Sequence, residues 1–420
     1  MLSSWLIISL QLCVFGFLKE IRPSEPFIYE FLIGEWRNVT QDEVNQQVYP
    51  AGIYSYMSLL IVVFLVTDLT RYKPLIIFLG ISGIIVWSML LWTKTLRDLL
   101  ILEVFYGAFM ACEVAYYTYI YAKVDKQYYQ QVTSHTRAAI LAGRAISGIL
   151  GQLLISFDVM DYRQLNYITL GAVIAATLWS FLLPPIKKSI YFHQEDSALL
   201  NNRSKAGHAF QMMWGHFKHA YSNKYTLKWS IWFSVTTCGF VQVQTYMQPL
   251  WNAITSPGEE RDIYNGAIES VLTIIGFLGA LFAGVLTKVN WRNRGELLLS
   301  ACSLIQGGLM IISSQTHYLW VSYASYVVFG AIFHFVITIV SSEIAKQIDE
   351  DSYGLIFGLN TFLALVFQTI LTLIVVSAGG FALAPRGQFL VYGVFHLVLG
   401  VIFIVINIIE VLIEKKYICK

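Results

Sequence analysis

Between Lys187 and Lys228 the chain reads KKSIYFHQEDSALLNNRSKAGHAFQMMWGHFKHAYSNKYTLK, a stretch dense in His, Lys, Asn and Ser. Residues of that polarity cannot sit in hydrocarbon, so the stretch lies on one face of whatever its flanks build. Both flanks are strings of apolar runs. With about 20 mostly apolar residues needed for a membrane crossing, six runs precede it, centred near Leu12, Leu60, Ile84, Met110, Ile149 and Ala175. Six follow, centred near Gly239, Ile275, Ile305, Phe329, Leu365 and Val401. Six plus six around a polar loop is the mark of a duplicated transporter. The expected architecture is an all-α membrane protein of twelve transmembrane helices. Its two six-helix halves would be residues 1–186 and 229–420, with 187–228 as the linker.

Composition agrees with a chain whose main partner is the lipid bilayer. Of 420 residues 56% are hydrophobic and 13% charged, against about 25% charged in soluble domains, and mean hydropathy is +0.60. An aqueous fold and a disordered chain are both excluded. With 28 Lys+Arg against 26 Asp+Glu the net charge of +2 offers no nucleic-acid surface. The five cysteines, Cys13, Cys112, Cys238, Cys302 and Cys419, are scattered and form neither a metal pattern nor a disulfide framework. No cofactor motif stands out, and no clustered His/Asp, nucleophile elbow or metal set suggests an enzyme. The run Trp5–Leu18 lacks a basic leader and a cleavage site, so it reads as a retained helix.

Basic residues orient the spans. With the N-terminus inside, nineteen Lys and Arg fall in inner segments and eight in outer ones (Lys19, Arg22, Arg37, Lys94, Arg97, Arg163, Arg261, Arg386), and Arg144 lies within a span. Both termini are therefore expected in the cytoplasm. The sequon Asn38-Val39-Thr40 falls in the first outer loop, open to glycosylation, while Asn202-Arg203-Ser204 falls in the inner linker and should stay bare.

Two inner loops look like counterparts: Asp68-Leu-Thr-Arg71-Tyr-Lys73-Pro74 after the second span, and Lys288-Val-Asn-Trp-Arg292-Asn-Arg294 after the eighth. An acidic and basic loop in these two places resembles the gating loop of major facilitator transporters, which makes Asp68, Arg71 and Lys73 gating candidates. A simple positive-inside anchor would explain the basic residues but not Asp68.

An ionisable residue inside a span is a functional hypothesis by default. The fourth span is richest, and at 100° per residue Glu103, Tyr106, Met110, Glu113 and Tyr117 share an arc of roughly 80°. Such a stripe must face protein or water. Carboxylates lined by rings suit a cation, with each cation–π contact adding ~0.5–2 kcal/mol. For Glu113 a buried pair with Arg144 of the next span is the competing reading. Glu25, between Pro23 and Pro26, can cap a turn or face the cavity. Trp87 sits mid-span, where packing competes with ligand contact. Of Tyr54 and Tyr56 at most one lines a cavity. Asn265 and Glu269, four apart, can bond a ligand or each other. Gln368 can donate or accept without charge. His334 and His396 read as core histidines or proton carriers.

The ordered strings Arg22-Pro-Ser-Glu-Pro-Phe27, Asp68-x-x-Arg-Tyr-Lys-Pro74, Glu103-x-Phe-Tyr106, Ala115-Tyr-Tyr-x-Tyr-Ile120, Tyr264-Asn-Gly-Ala267 and Phe357-Gly-x-Asn-Thr-Phe362 together resemble the folate/thiamine carriers, a vitamin-transporting branch of the major facilitator type. The resemblance covers nearly the whole chain outside the linker. It implies the major facilitator fold and uptake of a water-soluble vitamin at the plasma membrane by alternating access. Within the family the vitamin is a charge question. The folate carriers carry an arginine where this chain has Glu113, a lysine at Gln368 and an arginine at Gly330. The resemblance is therefore to the carriers of thiamine, a cation, and it assigns Glu103, Tyr106, Trp87 and Asn265 to the vitamin site. Tyr49, Glu113 and Gln368 join them as binding candidates, with Arg144 and Glu25 as structural ones. Two departures stand out. Gly52 replaces the tryptophan of the second-span motif, and Val86 stands where a hydroxyl residue would precede Trp87. Proton counter-transport through a carboxylate is compatible with the resemblance. The alternatives are a reduced-folate or other organic-ion vitamin carrier, or a vitamin receptor that does not transport.

Overall fold

The computed structural model describes residues 4–37, 39–125, 128–186, 202–255, 263–286, 291, 294–349 and 352–418. The apolar runs form α1 (Ser4–Lys19), α2 (Ile28–Ile33), α3 (Gln41–Glu43), α4 (Tyr49–Leu69), α5 (Lys73–Trp92), α6 (Leu96–Lys123), α7 (Tyr129–Ser156) and α8 (Leu165–Ser180). After α9 (Asn202–Ser222) come α10 (Lys224–Ile254), α11 (Asn265–Val285), α12 (Gly295–Gln315), α13 (Leu319–Ala345), α14 (Tyr353–Val375) and α15 (Pro385–Ile418). Nine helices among the described residues are long and apolar enough to cross a membrane, and Trp5–Lys19 and Leu165–Ser180 are shorter apolar helices. With α10 these number twelve, a count compatible with the twelve crossings expected.

The first crossing is broken. The helix α1 stops at Lys19, Pro23 and Pro26 withhold backbone donors, and a 3₁₀ turn at Glu25–Phe27 leads into α2. Lys19 and Arg22 are not in an outer loop, as charge counting had them. Both are buried within the bundle, 1% and 5% exposed. The physical reason is length. A helix of 16 residues is short of a crossing, so the chain continues through the break and carries its charges along.

Local signals set the helix ends. Thr95 caps α6, its Oγ1 accepting the Asp98 N–H while the Asp98 carboxylate accepts from the Thr95 N–H, a capping box. Asn223 caps α10 through the Tyr225 N–H. Beyond α4 the chain turns through Arg71 and Tyr72, both at positive φ, a costly conformation for residues with a Cβ.

Buried apolar side chains gather in three clusters. One draws almost wholly on residues 8–186, around Phe109, Tyr116 and Tyr119. The second lies around Val243, Tyr246 and Tyr326, and the third around Trp229, Ile344 and Ile356. The two helix groups meet where α4 packs on α14 and α7 on α11. The second contact is close because Gly148 and Gly266 face each other; a Cβ on either would stand 2.6–2.7 Å from the other's carbonyl. Bonds between the groups collect at the end opposite the chain termini. There Gln41 Nε2 donates to Asn252 Oδ1 (3.1 Å), the Tyr54 and Ser377 hydroxyls bond (2.9 Å), Gln152 Nε2 donates to the Ile263 carbonyl (2.8 Å) and Ser270 Oγ to that of Ala145 (3.1 Å). That end is closed. At the termini end α9 packs under α10 and α14, and the Tyr221 hydroxyl donates to Asn360 Oδ1 at 2.8 Å.

Candidate functional site

The break in the first crossing is the electrostatic centre of the bundle. Lys19 Nζ donates to Glu20 at 2.5 Å and also to Glu113 of α6. Glu20 accepts from Arg22 at 2.7 Å and from Arg144 Nε of α7 at 2.8 Å. Arg22 donates to Glu25 at 2.5 Å. Three cations thus match three carboxylates, an arrangement that lets charges persist where any one alone would be prohibitive. The competing reading of Glu113 is corrected here: its partner is Lys19, and Arg144 bonds Glu20. Arg144 reaches a carboxylate next to the break and leaves 40% of its side chain exposed. Lys19, Arg22 and Arg144 thus bring three cations into the bundle, one of them directly onto Glu113 of the fourth span.

Glu103 stands outside this matched set. It lies on α6, and among the described residues nothing donates to its carboxylate. Its side chain folds against α4 at Gly52, where an added Cβ would overlap the carboxylate oxygen and stand 3.2 Å from its Cδ. Gly52 is thus a close-approach glycine, and the departure from the second-span motif is where the carboxylate of Glu103, a binding candidate, sits. Tyr106, one turn along α6 from Glu103, stacks on Phe109 with ring centroids 6.3 Å apart. Trp87 meets Phe109 edge-on at 5.4 Å. The Arg22 guanidinium lies 5.6 Å from the Phe109 ring and 6.0 Å from Trp87. Trp87 is 2% exposed and supports the ring layer from behind. Tyr49, at the start of α4, meets Tyr246 of α10 edge-on at 5.8 Å and Tyr29 at 6.4 Å.

On the facing helices Asn265 and Glu269 do not bond each other. Asn265 accepts from the Tyr323 hydroxyl (3.1 Å) and Glu269 from that of Tyr326 (2.9 Å), so α13 orients both. Gln368 is buried on α14 with its Nε2 unmatched. His396 bonds the Tyr392 carbonyl at 2.8 Å and packs on Phe329, as a core residue does. Of the gating candidates, Lys73 Nζ donates to the Phe181 carbonyl at the end of α8 (2.9 Å) and Arg71 is exposed. The Asp68 side chain, Lys288, Arg292 and Asn38 lie outside the described residues. No set of three or more His, Cys, Asp or Glu placed to hold a metal occurs among the described residues.

A family model described as reduced folate carrier matches residues 3–208 and 200–391. The chain belongs to the reduced folate carrier family. Thiamine transporter 1 of Mus musculus is 36% identical, the match covering 97% of this chain and 91% of that protein. Thiamine transporter 2 of Homo sapiens is 37% identical, over 96% and 90%, and folate transporter 1 of Caenorhabditis elegans 37%, over 95% and 91%. Among solved structures, the POT family transporter PepTSo aligns with a TM-score of 0.66 at 11% identity, over 95% of this chain and 96% of that one. The nucleoside transporter NupG aligns with 0.62 at 13%, over 95% and 98%. The fold is that of major facilitator transporters, and this family member is a multi-pass membrane carrier rather than an enzyme.

Lys19, Glu20 and Tyr326 bond candidate site residues or sit beside them without standing out in the sequence. Lys19 and Glu20 sit at the edge of an apolar run and read as a loop. The signal was present in the prolines at 23 and 26, which interrupt a helix without ending the crossing. Nothing in the sequence pairs Tyr326 with Glu269, since that contact joins α11 to α13 across the packed interior.

Proposed function

We propose that this carrier moves thiamine into the cell across the plasma membrane by alternating access. The halves 1–186 and 229–420 would rock about the central site, and the termini and linker 187–228 would lie in the cytoplasm. One observation carries the reading: among the described residues Glu103 is a carboxylate inside the bundle with neither a cation nor a hydrogen-bond donor, while Glu20, Glu25 and Glu113 are each matched by a cation and Glu269 is held by the Tyr326 hydroxyl. A monovalent organic cation supplies the missing charge, and the names of the thiamine-transporting relatives agree. In this mechanism Glu103 offsets the thiazolium and Tyr49 and Tyr106 give ring contacts, with Trp87 behind them. Asn265, held by Tyr323, bonds the aminopyrimidine. Glu113 and Gln368 shape the polar wall. Arg144 and Glu25 keep the first crossing in register, and the Asp68–Lys73 loop latches the termini end. Exchange of a proton for the vitamin at a carboxylate would drive accumulation, and uptake indifferent to an imposed pH gradient would remove that coupling.

A reduced folate is the second reading, favoured by the exposed part of Arg144 and by the folate transporter among the relatives. Radiolabelled thiamine uptake into cells expressing the chain, beside Glu103→Gln and with unlabelled reduced folate as competitor, separates the two. Saturable uptake that is lost in the variant and indifferent to folate supports the cation site. Surface expression without thiamine uptake, or uptake blocked by micromolar folate, overturns it. Binding without accumulation in sealed vesicles would mean a receptor.

A further inference from the structure

The break leaves the backbone ladder of the first crossing incomplete. Pro26 has no N–H to give, and within the 3₁₀ turn the Ile28 N–H takes the Glu25 carbonyl. The Tyr29 N–H would bond that carbonyl in a continuous α-helix; here its acceptor comes from the other half of the molecule. Gln248 of α10 accepts the Tyr29 N–H on Oε1 at 3.1 Å, and its Nε2 donates to the Glu25 carbonyl at 3.1 Å. One amide side chain therefore bridges the two peptide groups that the break has separated. Its neighbours on α10 strengthen the contact: Asn252, one turn on, accepts from Gln41, and Tyr246 meets Tyr49. The residue whose carbonyl is held, Glu25, is also the one whose carboxylate pairs with Arg22 at 2.5 Å.

We propose that Gln248 is a positioning residue that ties closure of this end of the cavity to the order of the charged break. With the halves closed, its amide completes the ladder and fixes Glu25 and, through it, Arg22. As the halves part, the Tyr29 N–H loses its acceptor and the Glu25 carbonyl keeps only the Ile28 N–H, and a buried peptide N–H without a partner is costly. The amide therefore withdraws only as water enters, which links opening of this end to hydration of the site. A planar group with one acceptor and one donor side is what the gap requires. Glutamate offers only acceptors there, and methionine only the shape.

The inference rests on the alternating-access reading, and its test needs no substrate. Spin labels at Arg97→Cys and Tyr318→Cys, both exposed at this end on opposite halves, are placed in the full chain with its own cysteines replaced, in lipid nanodiscs. Distance distributions are recorded for Gln248, Gln248→Met and Gln248→Glu. The parent should favour the short distance. Gln248→Met should move the ratio of short to long by about thirtyfold, the worth of two net hydrogen bonds. Gln248→Glu, which keeps an acceptor for Tyr29, should move it in the same direction and by less. Distributions identical to the parent in the variants, even with lowered melting temperatures, would mean that Gln248 only adds stability and would overturn the proposal. Should the methionine variant not fold, the glutamate variant decides alone. Because thiamine is absent throughout, this result can fail while thiamine uptake stands, and the reverse.

Discussion

Replacing Lys19 by methionine should be among the most damaging single changes in the bundle, and the structure says why. The Lys19 ammonium is 1% exposed and touches both Glu20 and Glu113. Without it Glu20 keeps Arg22 at 2.7 Å and Arg144 at 2.8 Å, whereas Glu113, 12% exposed, loses its cation. Leaving one member of a buried pair uncompensated costs about 3–5 kcal/mol. Glu113→Gln is milder: Lys19 retains Glu20, so roughly 1–2 kcal/mol is expected, the worth of one charge-assisted hydrogen bond. The double variant should fall close to Glu113→Gln alone, because the stranded charge is gone. A double-mutant cycle therefore gives a coupling of about 3–5 kcal/mol between Lys19 and Glu113, the whole cost of Lys19→Met. Arg144→Met combined with Glu113→Gln should couple more weakly, since those two communicate only through Lys19 and Glu20. Equilibrium unfolding of the purified carrier in mixed micelles, titrated with SDS, supplies all four corners of each cycle. A Lys19/Glu113 coupling below about 0.5 kcal/mol, the usual limit of additivity, would refute the matched arrangement. A larger Arg144/Glu113 coupling would restore the pairing that sequence alone allows.

Gly52→Ala should fold, because the group its Cβ meets is the mobile end of Glu103, yet thiamine uptake should fall about tenfold as the carboxylate is displaced; the same change in a Glu103→Gln background should do nothing further. Gly148→Ala and Gly266→Ala push a methyl against a backbone carbonyl that cannot yield, so each should cost about 1–3 kcal/mol and lower uptake at normal surface expression, read by melting temperature beside transport. Asn360→Ala removes the acceptor of Tyr221 and the donor to Ser230; faster proteolytic cleavage within Asn202–Ser222, with the spans intact, is the expected result, and an unchanged cleavage rate would show that α9 is held by its apolar face alone.

The fold was legible because hydropathy and helix length are one-dimensional. A run of about 20 apolar residues means the same thing wherever its neighbours lie, and the 187–228 stretch divides such runs whatever their packing. The same ruler misplaced Lys19 and Arg22, because it measures apolar continuity while the membrane constrains backbone continuity. A crossing can carry charge through a proline break provided each charge finds a partner, and the partners Glu113 and Arg144 lie about a hundred residues away in sequence. Helical periodicity correctly put Glu103, Tyr106 and Glu113 on one face of α6, since that depends on spacing alone. It could not tell the two carboxylates apart: Glu113 has Lys19 within bonding distance, whereas among the described residues no donor meets Glu103, whose carboxylate lies against Gly52. The Gly52 position reads in sequence as the loss of a ring. In three dimensions it is room taken by the Glu103 carboxylate, so restoring a large side chain there would relocate the site charge before it rebuilt any stacking wall. If Glu103 is the cation site proposed here, substrate preference should turn on where α4 lets it stand as much as on which rings surround it.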